Sequence, residues 1–256
     1  EKVEVPSDAW YAWDVKEQRM ITAGEANVTE ANVKFVVDYG SVLNRIAYHD
    51  GSTRTLADFI LPFIITFERA DPQSKIYDES CVEDFNVFRQ QFVAWRIISE
   101  DPLVIEYYVN YLHLDAELIA AAFTSWPSMP WHVYEIGILA EENRLLAFSQ
   151  TKAQELNVEW MNYIAGPSIP VLRDYLDKAY EEGIIPYEKF LGQYITREEA
   201  KERYSLLRDF YREHGHFWVA DGPYYLDSAR AVSHTAVIKS IRLLPVSYTH
   251  LRAHET

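Results

Sequence analysis

The sequence predicts an α/β fold, because helix and strand patterns alternate along the chain. Val33–Tyr39 alternates apolar and polar side chains, as a half-buried strand does. Asp50-Gly51 is a tight-turn dipeptide, and the apolar residues behind it fall at helical spacing as far as about Ala70. Residues 95–111 predict a hairpin, since alternating apolar residues flank an acidic turn. A mixed sheet with helices accounts for these elements.

The first helix carries clear start and stop signals. Thr55 can accept the backbone N–H of Asp58 as the N-cap, and the Asp58 carboxylate can reach back to the cap. Asp71-Pro72 then ends the helix. The segment before the first strand, residues 1–24, looks irregular, and we expect its aromatic side chains to pack on the body: Trp10, Tyr11 and Trp13.

Further elements follow from apolar spacing and from capping residues. Helices are predicted over residues 81–92, Asp115–Phe123, Gln150–Ala165, Ser168–Glu182 and Thr196–His214. Strands are predicted over Phe217–Val219, Tyr224–Leu226 and Ala236–Leu243. The segment at about 150–215 therefore forms a helical insertion between strands.

Composition narrows the possible functions. The hydrophobic content of 48% excludes general disorder, and the net charge of −15 disfavours phosphate backbones and anionic membranes as partners. The single cysteine, Cys81, cannot form an internal disulfide, and we interpret it as a small buried apolar residue. Seven Trp and 18 Tyr supply amphipathic rings that suit sugars and peptides alike.

The two ends of the chain bear on which residues belong to the native domain. The chain does not begin with Met and shows no signal segment, so we expect the natural sequence to extend upstream. Residues 246–256 read as the translation of a sequencing-library adapter, and we treat 245–256 as a non-native tail. The domain assignment is then residues 1–244, mostly one lobe of a larger protein and incomplete at both ends, followed by that tail.

Four segments of the chain resemble motifs of one family, and they come in the family's order. Residues 48–59 read Tyr-His-Asp-Gly-Ser-Thr-Arg-Thr-Leu-Ala-Asp-Phe, which is similar to the signature (F/Y)-H-D-G-x-x-(L/M)-T-A-x-D-(V/F). The hairpin at 96–108 and the Pro-rich crossing at 125–134 follow it. Residues 221–226, Asp-Gly-Pro-Tyr-Tyr-Leu, resemble the family's Gly-Pro-Tyr strand, with Asp221 in place of the usual first glycine.

On these residues the chain is identified as a member of the extracellular solute-binding proteins of ABC transporters, family 5, the peptide, oligosaccharide and nickel class. The resemblance spans about residues 33–243. Pro62 inside the signature helix and the long helical stretch before Gly222 depart from the family pattern. These departures indicate a divergent subgroup.

The resemblance implies a lobe of a two-lobed, class II periplasmic-binding-protein-like fold. Such proteins enclose a ligand by hinge closure and deliver it to permease subunits in the membrane. It further implies an oligopeptide or oligosaccharide ligand, a monomer, and a location in the periplasm or on the extracellular face of the membrane, held there as a lipoprotein. No cofactor or metal is expected, and nickel is disfavoured because the sequence before the tail holds no convincing His cluster. Its cleft positions correspond here to Tyr77, Trp126 and Trp131 as ligand-binding residues, whereas Trp218 is expected in the core.

The sequence lacks the common catalytic motifs. The sequence holds no Gly-x-Ser-x-Gly elbow, no phosphate-binding Gly-rich loop and no His-Glu-x-x-His, so no catalytic residues are assigned. His214-Gly215-His216 and His132-x-x-Glu135 have the spacing of metal pairs, but a structural role is the preferred interpretation of both. Two alternatives stay open: a carbohydrate-active enzyme, and a peptide-sensing receptor module that shares the lobe.

Overall fold

The computed structural model describes residues 2–124, 126–230 and 233–241. The predicted adapter-derived tail, 245–256, therefore lies outside the described residues. The strands are β1 (Val3–Glu4), β2 (Trp10–Asp14), β3 (Arg19–Thr22), β4 (Glu30–Ala31), β5 (Val33–Gly40), β6 (Phe92–Glu100), β7 (Leu103–Val109), β8 (Leu146–Ala147), β9 (Glu159–Trp160), β10 (Tyr224–Arg230) and β11 (Thr235–Ser240).

The helices build most of the second half of the chain. They are α1 (Leu56–Glu68), α2 (Val82–Gln91), α3 (Ala116–Phe123), α4 (Trp131–Glu142), α5 (Gln150–Leu156), α6 (Ser168–Glu182), α7 (Glu188–Leu191) and α8 (Arg197–His214). The prediction of mixed α/β structure is confirmed. Among the helices of the described ranges, none combines the length and the hydropathy of a membrane-spanning segment.

The main sheet of the described chain has five strands in the order β3-β2-β6-β7-β5, and every neighbouring pair in it is antiparallel. The predicted hairpin is confirmed as β6–β7, which turns at Asp101-Pro102. The predicted mixed sheet is wrong for the main sheet, because β7 lies between β5 and β6 and pairs antiparallel with both. Among the described strands, parallel pairing joins β8 to β9.

Helix ends follow the capping residues closely. The Asp58 carboxylate accepts the Thr55 backbone N–H at 2.7 Å, as expected from the shortened capping box. Asp115 caps α3 by accepting the Glu117 N–H at 2.9 Å. Gly183 and Gly215 end α6 and α8 in the left-handed conformation, which glycine adopts without steric cost. The predicted helices at 81–92, 115–123, 168–182 and 196–214 are all present.

The irregular start predicted for residues 1–24 is wrong, because β2 and β3 pair there as an antiparallel hairpin. The turn between them places Gln18 at a φ of 50°. Such a conformation is usually taken by Gly or Asn, so a glutamine at this position does not signal a turn. The packing of the aromatic residues is confirmed: Trp13 is buried, and the Trp10 ring meets the Trp95 ring edge-on at 5.1 Å.

Two other predicted elements differ from the structure. The helix expected over 150–165 stops at Leu156, because Asn157 is left-handed with a φ of 52° and the chain then enters β9. Phe217–Val219 is not a strand; the Phe217 N–H donates to the Tyr163 carbonyl at 2.7 Å from a loop. The last two predicted strands form the β10–β11 hairpin, although residues 242 and 243 lie outside the described part.

The core lies between the main sheet and the helices. Ile60 and Ile64 of α1, Ile105 of β7, Ile136 of α4 and Leu172 of α6 belong to one continuous buried cluster. Burial of each side chain of this size stabilises the fold by about 1.5–3 kcal/mol. Because α1 contributes to the same buried cluster as β7, α4 and α6, it joins the sheet to the helical half. This placement sets one face of α1 against the sheet and brings its first turn beside α4 and α8.

Candidate functional site

A cavity of about 200 Å³ lies between α1, the β6–β7 hairpin and α3. We call it the aromatic cavity, because phenylalanine side chains from these elements and α2 line it: Phe59, Phe63, Phe88, Phe92 and Phe123. Trp95 of β6 and Tyr107 of β7 complete the wall on the sheet side. A cavity of about 150 Å³ with apolar walls can hold benzene, so this one has room for an aromatic ring.

Local sequence spacing explains how these rings come together. Phe59, Pro62, Phe63 and Thr66 follow the i, i+3, i+4, i+7 pattern and therefore share one face of α1. Trp95 and Tyr107 are cross-strand partners in the β6–β7 ladder, so their side chains lie on the same face of the sheet. The cavity is the space between these two aromatic faces.

The polar groups of the cavity wall are almost all paired within the protein. The Tyr107 and Tyr39 hydroxyls are hydrogen-bonded at 3.0 Å, and burial raises the pKa of Tyr107 so that its hydroxyl stays protonated. The Thr66 and Thr124 hydroxyls each donate to a helical carbonyl at 2.9 Å. The indole Nε1 of Trp95 has no acceptor among the described residues, but this atom is shielded from solvent and therefore offers no donor to the cavity.

Trp126 lies beside the aromatic cavity with 40% of its surface exposed. Its ring packs edge-on against the Phe59 ring, with 6.2 Å between the centroids. Its indole Nε1 donates to the Asp221 carboxylate at 2.5 Å, and the same oxygen accepts Arg54 Nη2 at 2.9 Å. The Arg54 guanidinium also stacks 3.8 Å from the Trp126 ring centroid. The Trp126 ring is therefore held in one orientation while one part of it faces solvent.

Arg54 connects the segments that resembled the family motifs. It is fully buried and donates to the Pro127 carbonyl at 2.7 Å, which also accepts the Tyr48 hydroxyl at 3.1 Å. The signature segment, the Pro-rich crossing and Asp221 thus meet at one guanidinium. The Asp221 carboxylate supplies the counter-charge that a buried arginine requires, a role that a glycine at this position could not fill.

A second set of ionisable side chains, here called the buried charge cluster, lies behind the first turn of α1: Asp50, Asp58, His132 and Arg203. Arg203 donates to both Asp58 oxygens at 3.1 Å. His132 Nε2 is 2.7 Å from Asp50, and its Nδ1 is 3.4 Å from Arg203 Nη1. Burial opposes ionisation of Asp50, but His132 and the Ser52 hydrogen bonds outweigh it and lower the pKa of Asp50. These mutual contacts give the cluster a structural role.

Asp58 also fixes the position of α4. Its carboxylate accepts the backbone N–H of Trp131, the first residue of α4, at 2.8 Å. A carboxylate at a helix start satisfies a free N–H and favours the helix dipole. The Pro-rich crossing consequently ends in a helix at Trp131.

The structure does not bring the predicted ligand-binding residues together. Trp131 is only 1% exposed and packs on Tyr204 at 5.8 Å, so it belongs to the core. Tyr77 is half-buried beyond the end of α1, whereas Trp126 packs near its start. The 13 residues of α1 separate these ends by about 20 Å. Trp126 lies beside the aromatic cavity, whereas Trp131 contributes to the wall of a different cavity, of about 220 Å³, together with Arg203. The expectation for Trp218 is wrong, because 43% of its surface is exposed.

The histidine pairs have other partners than a metal. His132 is hydrogen-bonded to Asp50 within the buried charge cluster, and burial raises the pKa of Glu135 well above its usual range. His214 and His216 approach the carbonyls of Asp227 and Leu226 at 3.2 and 3.0 Å, which holds β10 beside the end of α8. Within the described residues no group of three or more potential metal ligands is found.

Comparison of the chain with models of known protein families and with curated proteins finds no match. The sequence motifs named Trp126 as a candidate ligand contact but did not predict the aromatic cavity, although the signal for that cavity is present. Aromatic residues at helical spacing on α1 and cross-strand aromatics on β6–β7 predict two facing surfaces, but the same pattern is typical of a filled core.

Proposed function

We propose that this chain is the substrate-binding component of an ABC importer, which captures an oligopeptide or oligosaccharide for delivery to a membrane permease. The observation that carries the proposal is the aromatic cavity with the partly exposed Trp126 beside it. Ligand sites are concave and largely apolar, with a few fixed polar groups. The four motif segments add support, because two of them and Asp221 meet at Arg54 beside this cavity.

The mechanism proposed is capture without bond cleavage. The chain forms one lobe of a two-lobed, class II binding protein, and a second lobe closes over the ligand by hinge motion. Trp126 offers its exposed ring for stacking, while Arg54 and Asp221 keep that ring in place. A pre-positioned ring loses little conformational entropy when the ligand binds, which favours affinity. The closed form would then dock on the permease.

The carboxylates near the site favour binding over hydrolysis. A glycosidase of the usual kind needs two carboxyl groups about 5–9.5 Å apart that face the sugar. Asp221 is engaged by Arg54 and Trp126, and Asp58 is buried under Arg203. A carbohydrate-active enzyme therefore has weaker support than a binding protein.

Sequencing of the natural locus outward from both ends of this chain tests the proposal. The importer predicts a signal or lipoprotein segment upstream, a second lobe in the same reading frame, and permease genes nearby. A reading frame that runs into a catalytic domain would identify the enzyme instead. A signalling domain without neighbouring permease genes would identify the receptor module and refute the importer.

A further inference from the structure

A cavity of about 220 Å³ lies between the turn that precedes α1, the start of α4 and one face of α8. We call it the polar cavity, because charged side chains contribute to its wall. Four of its lining residues fall at i, i+3, i+4 and i+7 and therefore share that face of α8: Glu199, Glu202, Arg203 and Leu206. Trp131 lines the cavity from the start of α4.

Two N–H groups of this wall have no acceptor among the described residues. The hydrogen bonds that Arg203 forms there all use its two terminal nitrogens, which leaves its Nε–H unpaired. The indole N–H of Trp131 is unpaired as well, and neither group is shielded from solvent in the way that the Trp95 indole is. Both side chains are more than nine-tenths buried, at 7% and 1% exposure. A buried donor without an acceptor costs free energy, so the wall favours a ligand that accepts hydrogen bonds.

Carboxylates of α8 add negative charge to the same wall. One oxygen of Glu199 accepts the Thr196 N–H at 2.7 Å as part of the cap of α8. Glu202 is exposed and forms no ion pair with the described residues, and its neighbour Arg203 pairs with Asp58. The polar cavity therefore combines unpaired N–H donors with an unpaired carboxylate.

A ligand with one kind of charge matches only half of this wall. An anion would accept from the N–H donors, but Glu199 and Glu202 would repel it. A cation would pair with the carboxylates and leave the donors unpaired. A zwitterion meets both demands, and its two charges must lie close together, because residues three or four apart on a helix have Cβ atoms about 5–6 Å apart. A free amino acid carries both charges on one carbon, whereas each added residue of a peptide separates them by up to about 3.6 Å more.

We propose that the polar cavity binds a free aliphatic α-amino acid as its zwitterion. The carboxylate of the amino acid accepts from Arg203 Nε and Trp131 Nε1, and its ammonium group donates to Glu202. Leu206 and Ile195 supply the apolar contacts for the aliphatic side chain. A cavity of about 150 Å³ holds benzene, so the polar cavity has room for an amino acid such as leucine. The proposal does not rest on the capture function, because the aromatic cavity is a separate site.

Nitrogen-proton spectra of the ¹⁵N-labelled full chain test the proposal even when binding is weak. The Trp131→Phe variant identifies the Trp131 indole signal, one of seven, by its loss. The probes are L-leucine, leucinamide, which lacks the carboxylate, and N-acetyl-leucine, which lacks the ammonium group. Each is titrated to about 10 mM at about pH 6, where both amines are protonated. We expect L-leucine to move the Trp131 indole signal and to bind at least tenfold more tightly than either analogue.

Two substitutions on α8 provide a matched pair. Glu202→Gln removes the carboxylate that receives the ammonium group, and it should weaken L-leucine binding at least tenfold. The same variant should leave the weak binding of N-acetyl-leucine unchanged, because that probe has no ammonium group. Glu198→Gln removes an equal charge from an exposed residue of α8 outside the cavity wall, and it should keep the L-leucine affinity within about twofold.

Several outcomes would overturn the proposal. Equal affinity for L-leucine and N-acetyl-leucine would show that the ammonium group is not bound. Equal loss in the two α8 variants would reduce the effect to the overall charge of the chain. A Trp131 signal that does not respond to L-leucine at about 10 mM would remove the site itself. None of these results bears on the capture function, which is tested at the locus.

Discussion

Removal of the Asp58 charge is the sharpest perturbation of the buried charge cluster. Asp58 is 1% exposed and accepts hydrogen bonds from Thr55 N, Trp131 N and both terminal nitrogens of Arg203. Asp58→Asn presents an amide to some of these donors and leaves the Arg203 guanidinium buried without its partner. Breaking a buried ion pair in this way costs about 3–5 kcal/mol. A domain is stable by only about 5–15 kcal/mol in total, so the loss is large.

Urea unfolding followed by circular dichroism and by tryptophan fluorescence measures this loss. Asp174→Asn is the control, because Asp174 forms a surface ion pair with Arg173 and its side chain is 69% exposed. That variant should change the free energy of unfolding by less than about 0.5 kcal/mol. In the double variant Asp58→Asn, Arg203→Met both charges are gone, and we expect about 2 kcal/mol less destabilisation than the sum of the single variants. An Asp58→Asn variant as stable as the control would refute the reasoning.

Substitutions of Glu135, Gly137 and Asp221 test other parts of the structure. Burial raises the pKa of Glu135, so its native carboxyl stays protonated while the unfolded one ionises, and stability falls as pH rises above about 4.3 by up to about 1.4 kcal/mol per pH unit. Glu135→Gln should therefore stabilise the fold at pH 7 in urea unfolding and lose this advantage toward pH 4; a gain that is constant with pH would contradict it. Gly137→Ala should lower the melting temperature, at a cost of about 1–3 kcal/mol, because the new Cβ would overlap the Tyr163 hydroxyl. Stabilisation there, as helix propensity alone predicts, would show that the helix packs more loosely. Asp221→Asn should make Trp126 more accessible to acrylamide quenching, since the ring loses its ion-paired acceptor. The added quenching should vanish in the Trp126→Phe background; if it persists, another indole is responsible.

Much of the fold was predictable because its signals are local. Thr196 and Glu199 close a capping box within four residues, and the structure shows α8 starting there. The β2–β3 hairpin was missed because Gln18 takes a left-handed conformation without the residue types that announce it. The antiparallel sheet was missed for a different reason. The pairing of β7 with both β5 and β6 depends on contacts between residues far apart in the sequence, and no local sequence pattern predicts it.

The candidate site was predicted less completely than the fold. Trp126 was identified through its motif, but the Asp221 carboxylate that holds it lies 95 residues away. The Trp131 side chain is buried against Tyr204, and its backbone N–H is bound by Asp58, a contact that spans 73 residues. The aromatic cavity depends on how far apart α1 and the hairpin pack, and residue spacing shows which faces meet without showing the gap between them.

The most direct test of ligand capture is to identify what the chain binds and whether the ligand survives. The protein is incubated with an equimolar mixture of peptides and oligosaccharides, freed of unbound solutes by gel filtration, and examined by native mass spectrometry. A binding protein predicts one intact ligand per chain, either a peptide or an oligosaccharide. That ligand should be lost in Ala122→Phe, because the new ring fills the aromatic cavity. Cleavage products in the mixture, formed in proportion to the amount of protein, would contradict capture and assign the chain to the enzymes.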